Sequence, residues 1–231
     1  MISLVASLCL LSSVASTATL DSEAQDLEAV WDWMKEETVV SASKREENRA
    51  DAPASVTVIS GDELERAHVA TFLEIFRRVP NTTYQYTTPI NSHLYLRGRP
   101  SNFDAHTLVL IDWQPLNRET FGSPSWPSLP LNINDIERIE IVHGPGSAVF
   151  GANAYSGVIH IISKRGQGPL KVTGTVGMGE FNRLNLGAQA IGAGDSWSYR
   201  VSAGATEYDS QSPLPRPGLT LARTNGHIGY T

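Results

Sequence analysis

Cysteine is almost absent from these 231 residues, and the single Cys9 excludes both an intramolecular disulfide framework and a CxxC metal site. Positive charge is also in short supply. Eighteen Lys and Arg against 24 Asp and Glu leave a net charge of −6, which lacks the basic footprint of a nucleic-acid binder. The six histidines are scattered without ligand spacing, so neither a metal nor a cofactor is expected. Catalytic signatures are missing too: GxSxG and HExxH do not occur, and the glycines from Gly144 onward do not complete GxGxxG. The run "GPGSAVFGAN", 144–153, lacks the GK[ST] of a phosphate loop, and Pro145 removes an N–H that such a loop needs. His143 and Ser147 stand four apart near a turn and read as a polar strand end, so no enzyme is expected. Beyond residue 18 no stretch of 18 consecutive apolar residues occurs, and no transmembrane helix is expected.

What is present fits a folded chain, with 41% hydrophobic and 18% charged residues. Residues 1–18, "MISLVASLCLLSSVASTA", read as a signal peptide, with an apolar centre and small residues near Ala15 and Ala18. No Lys or Arg precedes Lys35, so the usual positive n-region is missing, as a misassigned start codon would explain. Cys9 reads as an h-region residue, because Leu8 occupies the place where a lipidated cysteine needs a small neighbour. The acidic stretch 19–36 places Leu27, Val30, Trp31 and Met34 at helical spacing, and reads either as a short amphipathic helix or as a flexible tether. Thr38-Val39-Val40 is a short β-prone patch in charged surroundings. It is either a strand awaiting a partner edge or linker, and composition alone favours linker.

From Ser55 the patterning sharpens. Val56 to Ile59 reads as a strand, and Ser60 with Glu63, then Thr71 with Glu74, match capping boxes that start helices. Phe72, Phe76 and Val79 give the second helix an apolar stripe, which Val79-Pro80 stops, and Asn81 suits the left-handed conformation beside the break. Further strands are expected at Tyr84–Tyr86, Leu94–Leu96, Leu108–Ile111, Arg138–Val142 and Val158–Ile162, with long loops at 87–93 and 117–130. Beyond Arg165 the texture changes to period-2 alternation over 171–178, 183–190 and 196–206, joined by the short turns "GEFN" and "GAGD". The polar face carries Arg, Asn and Gln, and the apolar face is small or aromatic-tipped, a pattern that favours a transmembrane barrel over a soluble sandwich.

Together these pieces resemble the TonB-dependent outer-membrane receptors. The residues that carry the resemblance are "ETVVSAS", "DAPASVTVISGDEL", "TFLEIFRRVPN", "LYLRG", "LVLIDWQPLN" and "DIERIEIVHGPGSAVFGANAYSGVIHIISKR", in order over some 130 residues. The implied fold is an α+β plug domain, a small mixed sheet with short helices, followed by the N-terminal antiparallel strands of a truncated transmembrane β-barrel. The implied domains are a signal peptide at 1–18, a periplasmic tether at 19–49, a plug at 50–165 and three to four barrel strands at 170–231. Glu37, Thr38, Val39, Val40, Ser41 and Ala42 match the TonB box, which the TonB energy-transducing protein pairs with as an added strand. That match reverses the linker reading. Arg97, Glu137, Arg138, Glu140 and His143 fall at positions that seat the plug against the barrel. Gly98, Gly144, Gly146, Gly151 and Gly157 are then structural, allowing sharp turns and close packing. Tyr84, Tyr86, Phe121 and Trp126, near the candidate apices, are ligand-facing candidates for stacking on a planar ligand.

Three positions depart from the family pattern: His143 replaces an arginine, Asn81 a glycine, and Trp113 a turn glycine, where a locally different turn is expected. The resemblance implies an outer-membrane location with plug and N-terminus facing the periplasm, and energised uptake of a small-molecule ligand. An iron–siderophore complex comes first among ligands, then cobalamin or a carbohydrate; a non-transporting, plug-like binding module is the alternative class. A barrel of about 22 strands with about 10 residues in each needs far more chain than residues 171–231 supply, so the chain is expected to be the N-terminal part of a longer receptor.

Overall fold

In a computed structural model of the chain, the described residues are 37–67, 71–86, 92–97, 106–118, 122–179, 183–194, 196–208 and 219–230. The expected signal peptide, the helix around Leu27–Met34, Gly98 and Phe121 lie outside them. The chain divides into two units, Met1–Pro53 and Ala54–Thr231. In the first, β1 (Thr38–Val39) pairs antiparallel with β2 (Glu47–Asn48), opposing Thr38 to Asn48 and Val39 to Glu47. The β-prone patch therefore already has a partner within the chain.

The second unit is built on a five-stranded mixed sheet of order β3–β8–β9–β6–β7. Its members are β3 (Ser55–Ser60), β6 (Thr107–Ile111), β7 (Gln114–Pro115), β8 (Ile136–His143) and β9 (Gly157–Ser163). β6 and β9 run parallel and the other neighbours antiparallel. β-branched residues dominate β8 and β9, and Ile139, Ile141, Ile159 and Ile161 are fully buried. Onto them pack α1 (Gly61–Ala67), α2 (Phe72–Ile75) and the 3₁₀ turn Phe76–Arg78. The expected caps form: the Glu63 N–H donates to Ser60 Oγ at 3.2 Å and the Glu74 N–H to Thr71 Oγ1 at 3.4 Å. Asn81 takes φ 57 after the Val79-Pro80 break. β4 (Thr82–Tyr86) and β5 (Ser92–Leu96) then form a separate hairpin.

Trp126 is a correction. It is not an apex residue open to ligand: it is 2% exposed and lies edge-on to Phe76 with ring centroids 5.3 Å apart. The "SPSWPSLPL" segment folds inward because Trp126, Leu129 and Leu131 supply the apolar surface that closes the core beneath α2.

The turn at Trp113 corrects a second expectation. Asp112 and Trp113 form a two-residue hairpin turn with φ 45 and 71, both positive, although neither is glycine. Asp112 is held by Ser163, whose N–H and hydroxyl donate to its two carboxylate oxygens at 2.9 and 2.5 Å. Trp113 lies on the His160 ring, with centroids 4.3 Å apart.

The run "HGPGSAVFGANAYSG" is the β8–β9 connection, containing the short helix α3 (Ser147–Phe150) and a 3₁₀ turn at Ala152–Ala154. Gly151 has φ 87 in open space, so it serves conformation alone. At Gly157 a Cβ would overlap the Val142 carbonyl oxygen, so glycine there allows close strand approach.

A four-stranded antiparallel sheet comes next: β10 (Lys171–Gly179), β11 (Arg183–Ala193), β12 (Trp197–Tyr208) and β13 (Leu219–Tyr230). β13 begins at Leu219, whereas the sequence suggests a fourth strand starting only around His227–Tyr230; the Pro-rich "SPLPRPG" ahead of it masks the alternation of "LTLAR". On β12, Ser198, Arg200 and Ser202 are buried while Trp197 and Val201 are half exposed or more. Val172, Val176 and Met178 on β10 are 70, 74 and 87% exposed. Polar faces turn in and apolar faces out, the reverse of a soluble sandwich and the arrangement of a membrane barrel; four strands in a row do not close one.

Replacing Trp126 by Ala should lower the unfolding free energy by about 3–5 kcal/mol, as a buried aromatic does. A denaturant titration followed by circular dichroism checks this; a ligand-facing side chain would leave the midpoint unchanged.

Candidate functional site

The seam between plug sheet and barrel strands converges on one carboxylate. "NIND", 132–135, forms a single 3₁₀ turn before β8, with the Asn132 N–H donating to Asp135 Oδ2 at 3.1 Å. Asp135 is fully buried. Gln189 Nε2 of β11 donates to its Oδ1 at 2.5 Å, and Ser202 Oγ of β12 to its Oδ2 at 2.6 Å. Its backbone carbonyl accepts from Arg200 Nη1 at 3.0 Å and from the Lys164 N–H at 2.8 Å. Asn134 Nδ2 donates to Thr175 Oγ1 of β10 at 3.0 Å, and Asn132 lies so close to Gly204 that a Cβ there would overlap its amide oxygen. One turn thus engages three consecutive strands through their polar face.

The residues expected to seat the plug sit elsewhere. Arg138 Nε and Nη1 reach Glu140 Oε1 and Glu137 Oε1, each at 2.8 Å, on the plug's own sheet. Glu140 is fully buried, Glu137 and Arg138 more open, and Arg97 is exposed at φ 50. His143 is 7% exposed, with Nε2 2.9 Å from Thr57 Oγ1. Burial first, then the Arg97 guanidinium, lowers its pKa below 6.5, which favours the neutral imidazole at the position where the family pattern has an arginine. Asp135, which makes the observed junction, carried a signal that went unread: N-x-x-D ahead of a β-rich run is a capping pattern, though its partners are remote in sequence.

In the TonB-box-like segment only Thr38 and Val39 are extended; Ser41 and Ala42 lie in the turn between β1 and β2 and are buried, as is Val39. Glu37 accepts an ion pair from Arg49 Nη1 at 2.6 Å. Among the aromatic candidates, Tyr84 is partly buried against the core with Arg77 5.9 Å from its ring, and Tyr86 opposes Ser92 in the hairpin.

A second polar group lies in the plug sheet. His160 is 1% exposed, opposes Glu140 across β8–β9, and its Nε2 accepts the Trp113 N–H at 3.3 Å. Burial lowers its pKa to about 4 and outweighs the Glu140 and Asp112 carboxylates, which act in the opposite sense. A neutral imidazole is what that acceptor role requires. Among the described residues no His, Cys, Asp and Glu group has the arrangement of a metal site.

A plug-like mixed α+β sheet, locked by a buried carboxylate to the polar face of antiparallel strands whose apolar face points out, has the arrangement of a plug with the first strands of a barrel. Residues 48–158 match the family model of the TonB-dependent receptor plug domain. The chain belongs to the TonB-dependent receptors, of which it carries the plug and the first barrel strands. It is 33% identical over 156 residues to the vitamin B12 transporter BtuB of Vibrio vulnificus (strain YJ016), covering 67% of this chain and 25% of the relative. BtuB of Photobacterium profundum is 29% identical over 186 residues, 78% of this chain and 29% of the relative. Among solved structures, the siderophore receptor PirA of Pseudomonas aeruginosa superposes with a TM-score of 0.58 at 24% identity, over 78% of this chain and 32% of that one. The chain thus spans about a quarter to a third of the proteins it matches.

Asp135→Ala should loosen the seam by about 2–4 kcal/mol, since it strands buried donors on two barrel strands. Amide hydrogen exchange across 132–136 and β11–β12 should accelerate, and unchanged protection would refute the junction's role.

The His160 pKa, about 4 folded against 6.5 unfolded, gives a stability contribution fully present above pH 6.5 and lost as pH falls toward 4. His160→Gln, which keeps an acceptor and does not titrate, should flatten this part of a denaturation-versus-pH curve.

Proposed function

We propose that this chain is the N-terminal part of an outer-membrane transporter that takes up a scarce metal chelate with energy delivered by TonB. The observation that carries the reading is the Asp135 seam, because a plug bonded to the polar lining of outward-apolar strands suits a gated pore. The plug and tether face the periplasm, and Glu37–Ala42 is the segment that TonB engages as an added strand. Arg97, Glu137 and Arg138 serve contacts with further barrel wall. Tyr84, Tyr86 and Phe121 remain the ligand-facing candidates on the plug.

One ligand chemistry, a bulky metal chelate, covers both sources. The curated relatives at 33 and 29% identity are named vitamin B12 transporters, which supports a corrinoid more directly than the siderophore expected from the resemblance. Both ligands are bulky metal chelates too large for passive pores.

Deletion of the complete gene in its host should reduce uptake of radiolabelled cobalamin, or of radiolabelled iron given as a siderophore complex, to background. Restoring the gene should recover it, and a copy with Val40→Pro in the box should not. Unchanged uptake of both ligands in the deletion strain would overturn the proposal.

A further inference from the structure

The box-like segment is folded in a way that conflicts with binding a partner strand along its length. Thr38 and Val39 face Asn48 and Glu47, and the chain turns through Ser41–Ser43 to return. Among the contacts that close this loop are the Glu37–Arg49 ion pair at 2.6 Å, the Arg49 N–H to the Glu37 carbonyl at 2.9 Å, and Ser43 Oγ to Glu47 Oε1 at 2.9 Å. The loop also holds Lys44 at φ 61, left-handed geometry that disfavours a side-chain-bearing residue. A pairing of two residues is short, and isolated two-stranded hairpins are marginal in water.

We propose that residues 43–49 form an intramolecular clasp that occupies the TonB-box strand, so that the partner must displace β2 and open the turn before it can pair with all of Glu37–Ala42. This rests on the reading of that segment as the TonB contact. The clasp is built to yield: a partner strand that pairs across six residues replaces an internal one that pairs across two, and the strained Lys44 turn favours release. Apparent affinity is then reduced by the fraction of chains that are clasped.

Purified full-length chain and variants, folded in detergent, are titrated with an isolated TonB C-terminal domain. Arg49→Ala removes the ion pair and Lys44→Pro forbids the positive φ; both lie outside the box. Arg66→Ala, an exposed residue outside the clasp, controls for charge. The two clasp variants should bind about three- to tenfold more tightly than the parent, and the control should match the parent. Amide exchange at Thr38 and Val39, measured without TonB, should accelerate in the same two variants. Parent-like affinity in both, with clear binding throughout, overturns the clasp and leaves the TonB reading standing. Absence of binding by parent and variants alike overturns both.

Discussion

Everything placed around the plug's first long strand depends on the Asp135 carboxylate. Buried without exposure, it is tolerable only because each oxygen accepts from a donor, and two of those donors come from barrel strands. Remove the strands and the charge loses its Gln189 and Ser202 partners; remove the charge and Gln189, Ser202 and the Asn132 N–H lose theirs. Plug and strands therefore fold as one contact unit from Ala54 onward rather than as two bodies meeting at a surface. The same turn sets where β8 begins, and β8 pairs with both β3 and β9.

Local chemistry was legible in sequence and long-range chemistry was not. The Ser60 and Thr71 caps, the Val79-Pro80 stop and the left-handed Asn81 depend on neighbours a few residues away, and the structure keeps them all. The alternation in 171–206 is common to barrel and sandwich, and the composition of its two faces only favoured the barrel; the burial of Ser198, Arg200 and Ser202 against the exposure of Val172, Val176 and Met178 is what distinguishes them. Asp135 was missed because its partners lie 54, 65 and 67 positions along the chain. Trp126 was misplaced for a related reason: a tryptophan in a Pro- and Ser-rich loop looks exposed until Phe76, fifty residues earlier, is known to meet it.

Trp113 shows how a tertiary contact overrides propensity. A bulky residue at φ 71 is unfavourable by itself, and its ring compensates by covering His160 and lying parallel to Phe150 at 6.4 Å. The covered imidazole stays neutral and accepts the N–H of the same tryptophan, so the strained turn and the depressed pKa are two sides of one packing arrangement.

The position of β3 has a mechanical consequence. It is an edge strand of the plug sheet, and among the described residues it pairs with β8 alone, from Ser55 opposite His143 to Ser60 opposite Arg138. A pull on the chain ahead of Ser55 would enter the sheet there, while β8 is moored at its far end by Asp135. Load and mooring thus act at opposite ends of one six-rung ladder, which shares the strain among its rungs instead of opening them singly. The load passes through those rungs into β8 and from there to Asp135.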